Sequence, residues 1–150
     1  MTVTLRPMTR GDLGAVMRLE EELFAPDTWT RSMYAEELGM RDTRHYLVAV
    51  DADEVVGYAG LIAYPEEAHV ATIGVATARQ GEGIGRTLLD ALLAEADRRC
   101  PVVLLEVRAD DEATQAFYRR RGFVPIGRRP HYYPLSGADA VVMRREVLRS

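Results

Sequence analysis

Three closely spaced glycines, one carboxylate inside an apolar strand and one tyrosine late in a short helix are the residues whose types and spacing point to chemistry. The glycines lie in Arg79-Gln80-Gly81-Glu82-Gly83-Ile84-Gly85-Arg86, between an apolar strand and a helix marked by Leu88, Leu89, Leu92 and Leu93. Glycine side chains keep no anion away from the backbone, and the first N–H groups of a helix have no intrahelical acceptor. The run therefore forms a nest for phosphate, aided by the helix dipole and by Arg79 and Arg86. A dinucleotide fingerprint starting at Gly81 would need glycine where Arg86 stands, and a P-loop needs lysine, which the chain lacks entirely. What remains is the pattern Q-x-x-G-x-G, filled by Gln80, Gly83 and Gly85. The same run also reads as a glycine-rich turn without a ligand.

Glu106 interrupts Val102-Val103-Leu104-Leu105-Glu106-Val107. A charge in such a strand costs several kcal/mol unless it is paired or its pKa rises, on the order of magnitude known for buried ions. Positions 106 and 108 share a strand face, so an ion pair with Arg108 is the structural explanation. A raised pKa would instead suit Glu106 to accept a proton near neutrality. Tyr118, in Ala116-Phe117-Tyr118-Arg119, reads either as core with its hydroxyl at the rim or as a proton donor to a leaving thiolate. Both explanations stay open.

The elements that must position these residues alternate along the chain. Val3 to Arg6 reads as a first strand, and Thr9 with Asp12 starts a helix that Pro26 stops. A second helix spans Arg31 to Leu38. Tyr46 to Val50, Val55 to Ala63 and His69 to Val75 read as an antiparallel meander, followed by the glycine loop and its helix. Val102 to Val107 is a strand, Glu112 to Arg121 a helix closed by Gly122, Phe123 opens a strand, and Ala140 to Arg144 is the last. The expected architecture is a single α+β domain over residues 1–150, with a mixed, mostly antiparallel sheet and a crossover helix.

With 150 residues, 47% hydrophobic and 28% charged, the chain suits one core, and its net charge of -4 argues against nucleic-acid binding. Cys100 cannot form an internal disulfide and reads as a packed small side chain. His45, His69 and His131 are too scattered to suggest a metal site, and each reads as satisfied or exposed. No stretch is long and apolar enough to span a bilayer, and Met1 to Leu5 lacks the charged and apolar regions of a leader, so a cytoplasmic protein is expected.

The order glycine loop, Leu105-Glu106-Val107-Arg108, Phe117-Tyr118-x-x-x-Gly122-Phe123, Tyr132-Tyr133-Pro134 and Asp139-Ala140-Val141-Val142-Met143 resembles the RimI-type bacterial ribosomal-protein alanine N-acetyltransferases. These are a branch of the GNAT N-acetyltransferase superfamily. The resemblance implies a GNAT-type domain with about four helices around a sheet in which one pair of strands is splayed. It implies acetyl-CoA as cosubstrate, no metal and no membrane. Ile73, Gly74 and Val75 would pair with the pantetheine arm, and the Val75 N–H would polarise the thioester carbonyl. Gly81, Glu82, Gly83, Ile84, Gly85 and Arg86 would hold the pyrophosphate, Glu106 would act as general base, and Tyr118 as general acid. Many relatives carry asparagine where Asp111 stands, and an ionised aspartate can only accept hydrogen bonds, which weakens its match as a cofactor ligand.

Tyr132 and Tyr133 fall in a connection that the resemblance places over the acceptor, with Trp29 and Tyr34 as the opposite wall. Core or rim packing explains each aromatic equally well. The implied acceptor is a protein N-terminus, the N-terminal alanine of the eighteenth small-subunit ribosomal protein. Glu20-Glu21-Glu22, Glu36-Glu37 and Glu66-Glu67 would suit a basic substrate of that kind, or are solvated faces. Two other functions remain: transfer to a small amine, and a silent acyl-CoA-binding module that regulates a partner.

Overall fold

The computed structural model describes residues 3–146; Met1 and Thr2, read above for a leader, lie outside them. Seven strands form one sheet: β1 (Thr4–Pro7), β2 (Arg44–Asp51), β3 (Glu54–Ala63), β4 (Ala68–Val75), β5 (Val102–Arg108), β6 (Val124–Arg129) and β7 (Ala140–Glu146). Their spatial order is β1-β2-β3-β4-β5-β7-β6. Four α-helices occur among the described residues: α1 (Leu13–Phe24), α2 (Arg31–Leu38), α3 (Ile84–Arg99) and α4 (Glu112–Arg119). All neighbouring strands are antiparallel except β4 and β5, which are parallel and joined through α3. The α+β architecture expected from the pattern is the one observed. The helix expected to reach Arg121 ends at Arg119, because Gly122 turns the chain with φ 91° and the Phe123 amide bonds back to the Tyr118 carbonyl at 3.2 Å.

Hydrophobic periodicity explains which face each helix covers. In α3, Ile84, Leu88, Leu89, Leu92, Leu93 and Ala96 are all buried, and they pack on Val56, Leu61, Val103 and Leu105. On the opposite face, Leu13, Val16 and Leu19 of α1 and Tyr34 of α2 pack with Tyr46, Val48 and Tyr58. Cys100 is buried, and its thiol donates to the Tyr64 carbonyl at 2.9 Å, in keeping with a packing role.

The acidic runs are not the solvated patches the sequence suggests. Glu20 is buried and accepts from the Tyr58 hydroxyl at 2.7 Å and the Trp29 amide at 3.1 Å. Glu22 accepts from the Thr77 amide, and Glu37 holds both Arg44 and the Tyr46 hydroxyl. Three of those seven carboxylates, Glu20, Glu22 and Glu37, are thus committed to the protein's own structure, which removes them as support for a basic substrate.

One glycine reports how tightly the β2–β3 layer is packed. A Cβ on Gly60 would overlap the ring of Tyr46, which is itself pinned by its bond to Glu37. Gly60→Ala is therefore expected to destabilise the fold by about 1–3 kcal/mol, as overpacking does. Denaturant unfolding should show a lower midpoint at an unchanged slope.

Candidate active site

The glycine loop is held open by backbone conformations that favour glycine. Gly81 and Gly83 have φ of 85° and 86°, and a Cβ at either position would meet no atom within 4 Å. Gly83 immediately precedes α3, so the amides of residues 84 to 86 face this open space without intrahelical partners. Ile84 turns its side chain into the core beside Leu88, leaving only its backbone for a ligand. Gln80 does not face the nest: its side-chain amide donates to the Val75 carbonyl at 3.2 Å, tying the loop to the end of β4. Arg79 is bonded to Glu82 at 3.0 Å and to Asp51 at 2.9 Å, so Glu82 and Arg79 brace the loop. Arg86 is exposed on the first turn of α3.

β4 and β5 separate after only two paired positions, Ala68 with Val103 and His69 with Leu104. A bulge at Ala71, where Gly60 pairs with Thr72 but Leu61 with Val70, bends β4 on the way. The Ala76 amide bonds to Val56 of β3, so by strand alternation the N–H groups of Ile73 and Val75 point the other way, into the gap. Gly74 must be glycine, since a Cβ there would lie 2.9 Å from the Tyr58 ring and 3.0 Å from Leu23. At the mouth of the gap, Gly85 lies beside Val75 and Phe117, which joins strand end, loop and α4.

Glu106 projects from β5 on the face away from Val103, Leu105 and Val107, and its side chain is only 6% exposed. The expected ion pair with Arg108 does not form. Glu106 instead accepts from His69 Nε2 at 2.6 Å and from the Tyr132 hydroxyl at 3.3 Å. Arg108 is drawn away by Asp27 at 2.8 Å and Asp110 at 3.1 Å. Burial pushes the Glu106 pKa up, but the bond from His69, the charges of His69 and Arg129, and the Tyr132 bond outweigh it. The carboxyl therefore sits below its ordinary value, opposite to the raised pKa anticipated for a base.

His69, a scattered histidine in the sequence with no sign of a link to Glu106, proves to be its partner. The pairing is set by topology: the crossover places β4 parallel to β5 with His69 opposite Leu104, and Glu106 lies two residues further on that face.

Tyr118 is buried between Phe117 and Phe123, with ring centroids at 5.3 and 5.7 Å. Burial, with Tyr133 and Asp111 nearby, holds its phenol protonated well above neutrality. Asp111 caps α4, accepting from the Thr114 amide at 3.1 Å and the Thr114 hydroxyl at 2.7 Å. This accounts for an aspartate at that position without a cofactor contact. Tyr132 and Tyr133 lie between β6 and β7, edge to face at 5.0 Å, and burial raises the Tyr133 pKa to about 12. Trp29 lies partly exposed on the α1–α2 connection, but Tyr34 is fully buried beneath it at 4.9 Å. Tyr34 is a core residue and supports an acceptor wall only through Trp29.

A cavity of about 470 Å³ lies elsewhere, lined by Pro7, Thr9, Arg41, Arg44 and Tyr46 among others, and contains none of these groups. Among the described residues no cluster of three His, Cys, Asp or Glu is placed to hold a metal ion, and no helix is long and apolar enough to cross a membrane.

The structure thus sets an open glycine loop beside a strand edge that parts from its neighbour, with Glu106 on β5 and Tyr118 on α4. The Acetyltransferase (GNAT) family model matches residues 15–123, and the chain belongs to that family. It is a RimI-like acetyltransferase whose acetyl donor is acetyl-CoA. The chain is 44% identical to the N-alpha-acetyltransferase RimI of Mycobacterium tuberculosis, covering 96% of this chain and 92% of that one. It is 30% identical to a putative ribosomal-protein alanine N-acetyltransferase of Bacillus subtilis over 93% of this chain and 92% of the relative. The crystal structure of the Escherichia coli enzyme named for the alanine of the eighteenth small-subunit ribosomal protein superposes with a TM-score of 0.88 at 28% identity, over 99% of this chain and 96% of that one.

Gly83→Val would put a branched side chain both at a left-handed backbone position and into the open nest. Acetyl-CoA affinity is expected to fall about 10- to 100-fold, the loss of one or two hydrogen bonds to a charged group. Calorimetric titration of the folded variant checks this, and unchanged affinity would remove the nest from the donor site.

Proposed function

We propose that the protein transfers acetyl directly from acetyl-CoA to a protein N-terminal α-amine, the N-terminal alanine of the eighteenth small-subunit ribosomal protein, in the cytoplasm. The observation that carries this reading is the Glu106 carboxylate, held by His69 and Tyr132 beside the gap between β4 and β5 and beneath the β6–β7 connection. The names of the RimI-like relatives support the acceptor class.

In this reading the amides of residues 83 to 86 bind the pyrophosphate, and the exposed edge of Ile73, Gly74 and Val75 takes the pantetheine arm as an added strand. The Val75 N–H then donates to the thioester carbonyl and stabilises the oxyanion as the amine attacks. An α-amine with pKa about 7.7–8.0 is still mostly protonated at pH 7, so a proton must leave before attack. Glu106 is ionised throughout the neutral range. It is a weak base with a strong hold on an ammonium group, so it orients the acceptor and takes its proton in transit to solvent, while the His69 Nε2–H holds the carboxylate in place. Tyr118, kept protonated by burial, donates to the departing thiolate. No covalent enzyme intermediate is needed.

The test is acetylation of peptides that differ only in their first residues, with product masses read directly. The alanine-initiated ribosomal sequence should react fastest, with acetyl on its α-nitrogen. Transfer to small amines alone, or to nothing, would overturn the reading.

Glu106→Gln keeps the shape but cannot take a proton, and its turnover should fall by roughly 10²- to 10⁴-fold with acetyl-CoA affinity unchanged. Because the Glu106 pKa is lowered, its own limb of the pH profile should lie below the ordinary carboxylate range. The rise of kcat/KM between pH 6 and 8 should then follow the acceptor amine, with the rate increasing as the amine loses its proton. Tyr118→Phe keeps the packing and should likewise lose turnover and retain donor binding. Its deficit should shrink with an acyl donor whose thiol is more acidic, and a parental rate would reduce Tyr118 to a packing residue.

A further inference from the structure

The α1–α2 and β6–β7 connections are joined across the front of the sheet by one carboxylate. Asp27, in the α1–α2 connection, has a side chain only 7% exposed. Its Oδ2 accepts from Arg108 Nη1 at 2.8 Å, and its Oδ1 accepts from the Ser136 amide at 3.1 Å. Arg108 stands at the end of β5, on the same face as Glu106 and two residues beyond it. Its guanidinium lies 5.5 Å from the centre of the Tyr133 ring and also reaches the Ser136 hydroxyl at 3.4 Å. Tyr133 packs against Tyr132, and the Tyr132 hydroxyl donates to Glu106. Asp27 is held from its own side, through its amide on the Phe24 carbonyl at 2.7 Å and through the bond of the Trp29 amide to buried Glu20.

We propose that Asp27 is a positioning residue for the acceptor, a latch that fixes the two connections to each other through Arg108 and Ser136 and so sets the entrance above Glu106. The proposal rests on the reading above that these connections flank the acceptor. The physical case is one of burial and multiplicity. A carboxylate removed from water needs its lone pairs satisfied, and the groups that satisfy Asp27 are one cation on β5 and one main-chain N–H on the opposite loop. Ser136 itself is exposed, and the connection around it has little apolar burial, since Leu135 is 71% exposed. Its seating therefore depends on polar ties, of which those to Asp27, Arg108 and Glu106 reach out of the loop. The donor half of the site is untouched: no bond of Asp27 or Arg108 leads to the glycine loop or to Ile73–Val75.

Two variants probe the latch from its two sides. Asp27→Asn keeps the size but sets an amide against two donors, and Arg108→Gln removes the cation from a partly exposed position. Each should speed hydrogen–deuterium exchange in residues 131–137, the Ser136 amide most, while exchange in α3 and β5 stays parental. For the acceptor that the unaltered protein acetylates fastest, KM should rise about 10-fold or more, the loss of a charge-assisted hydrogen bond. The acetyl-CoA KM should stay within about twofold, because loss of an interaction that serves one substrate moves that substrate's constant alone. The double variant should be no worse than the more severe single one, since both remove the same tie.

Parental exchange in residues 131–137 in either folded variant would overturn the latch. Faster exchange with both KM values unchanged would refute its role in acceptor positioning. If the unaltered protein acetylates no peptide, the peptide reading fails, and the exchange rates of residues 131–137 still decide whether Asp27 holds the two connections together.

Discussion

The parting of β4 from β5 is the constraint on which the site depends. Parallel strands ordinarily satisfy each other's main-chain groups along their length, and buried N–H and C=O groups without partners are costly. Here the ladder stops after two positions. Several features hold the strands apart together. A bulge at Ala71 bends β4, Gly74 lets Tyr58 and Leu23 press on it from below, and Gln80 ties the Val75 carbonyl to the glycine loop. The result is a strand edge whose unpaired groups can be satisfied by an extended ligand, opening directly onto the start of α3. In the proposed reading donor binding is a property of the main chain, and side chains serve to keep that main chain in place.

This explains which parts of the site were legible in the sequence. Glycines 81, 83 and 85, the strand before them and the helix after them are consecutive, and their meaning rests on local backbone geometry. The strand face of Glu106 and the closure of α4 at Gly122 are local too, and both were read correctly. Partners were not. Positions 106 and 108 do share a face, yet Arg108 turns to Asp27, which is 81 residues away along the chain, and Glu106 takes His69, 37 residues away. A side chain with several competing partners is decided by which of them the fold brings within reach, and spacing along one strand carries no information about that. The core placement of Tyr34, open beside an acceptor wall in the sequence, is decided in a related way. Its neighbours Trp29, Tyr46 and Tyr58 come from three other segments, and only their packing shows that it lies in the core.

Glu106 also shows why desolvation alone is a poor guide to a titrating group. Its burial was legible from the apolar strand around it, and burial does push its pKa up. Hydrogen bonds to the charged form act the other way, and two donors with nearby cations are enough to reverse the sign. Glu20 makes the contrast. It is also a buried carboxylate with two hydrogen-bond donors, from Tyr58 and Trp29, but it has no cation beside it, and its pKa is raised. Deeper burial of Glu20 and the positive charges near Glu106 together separate the two carboxylates. One is held ionised beside the gap, and the other braces the loop that carries Trp29 and Asp27.

The two halves of the site are consequently built on different physical terms. On the proposed donor side, the groups are amides fixed by helix, strand and left-handed glycine geometry, so few substitutions other than at glycine reach them. On the acceptor side, the groups are long polar and aromatic side chains from four segments, joined in a chain from Glu20 through Trp29 and Asp27 to Arg108, Tyr133, Tyr132 and Glu106. A change at any link can alter the entrance without disturbing the phosphate nest. A fold arranged this way can keep one donor while its acceptor preference varies, because the nest is set by consecutive main-chain conformation and the entrance by contacts between segments distant in the chain.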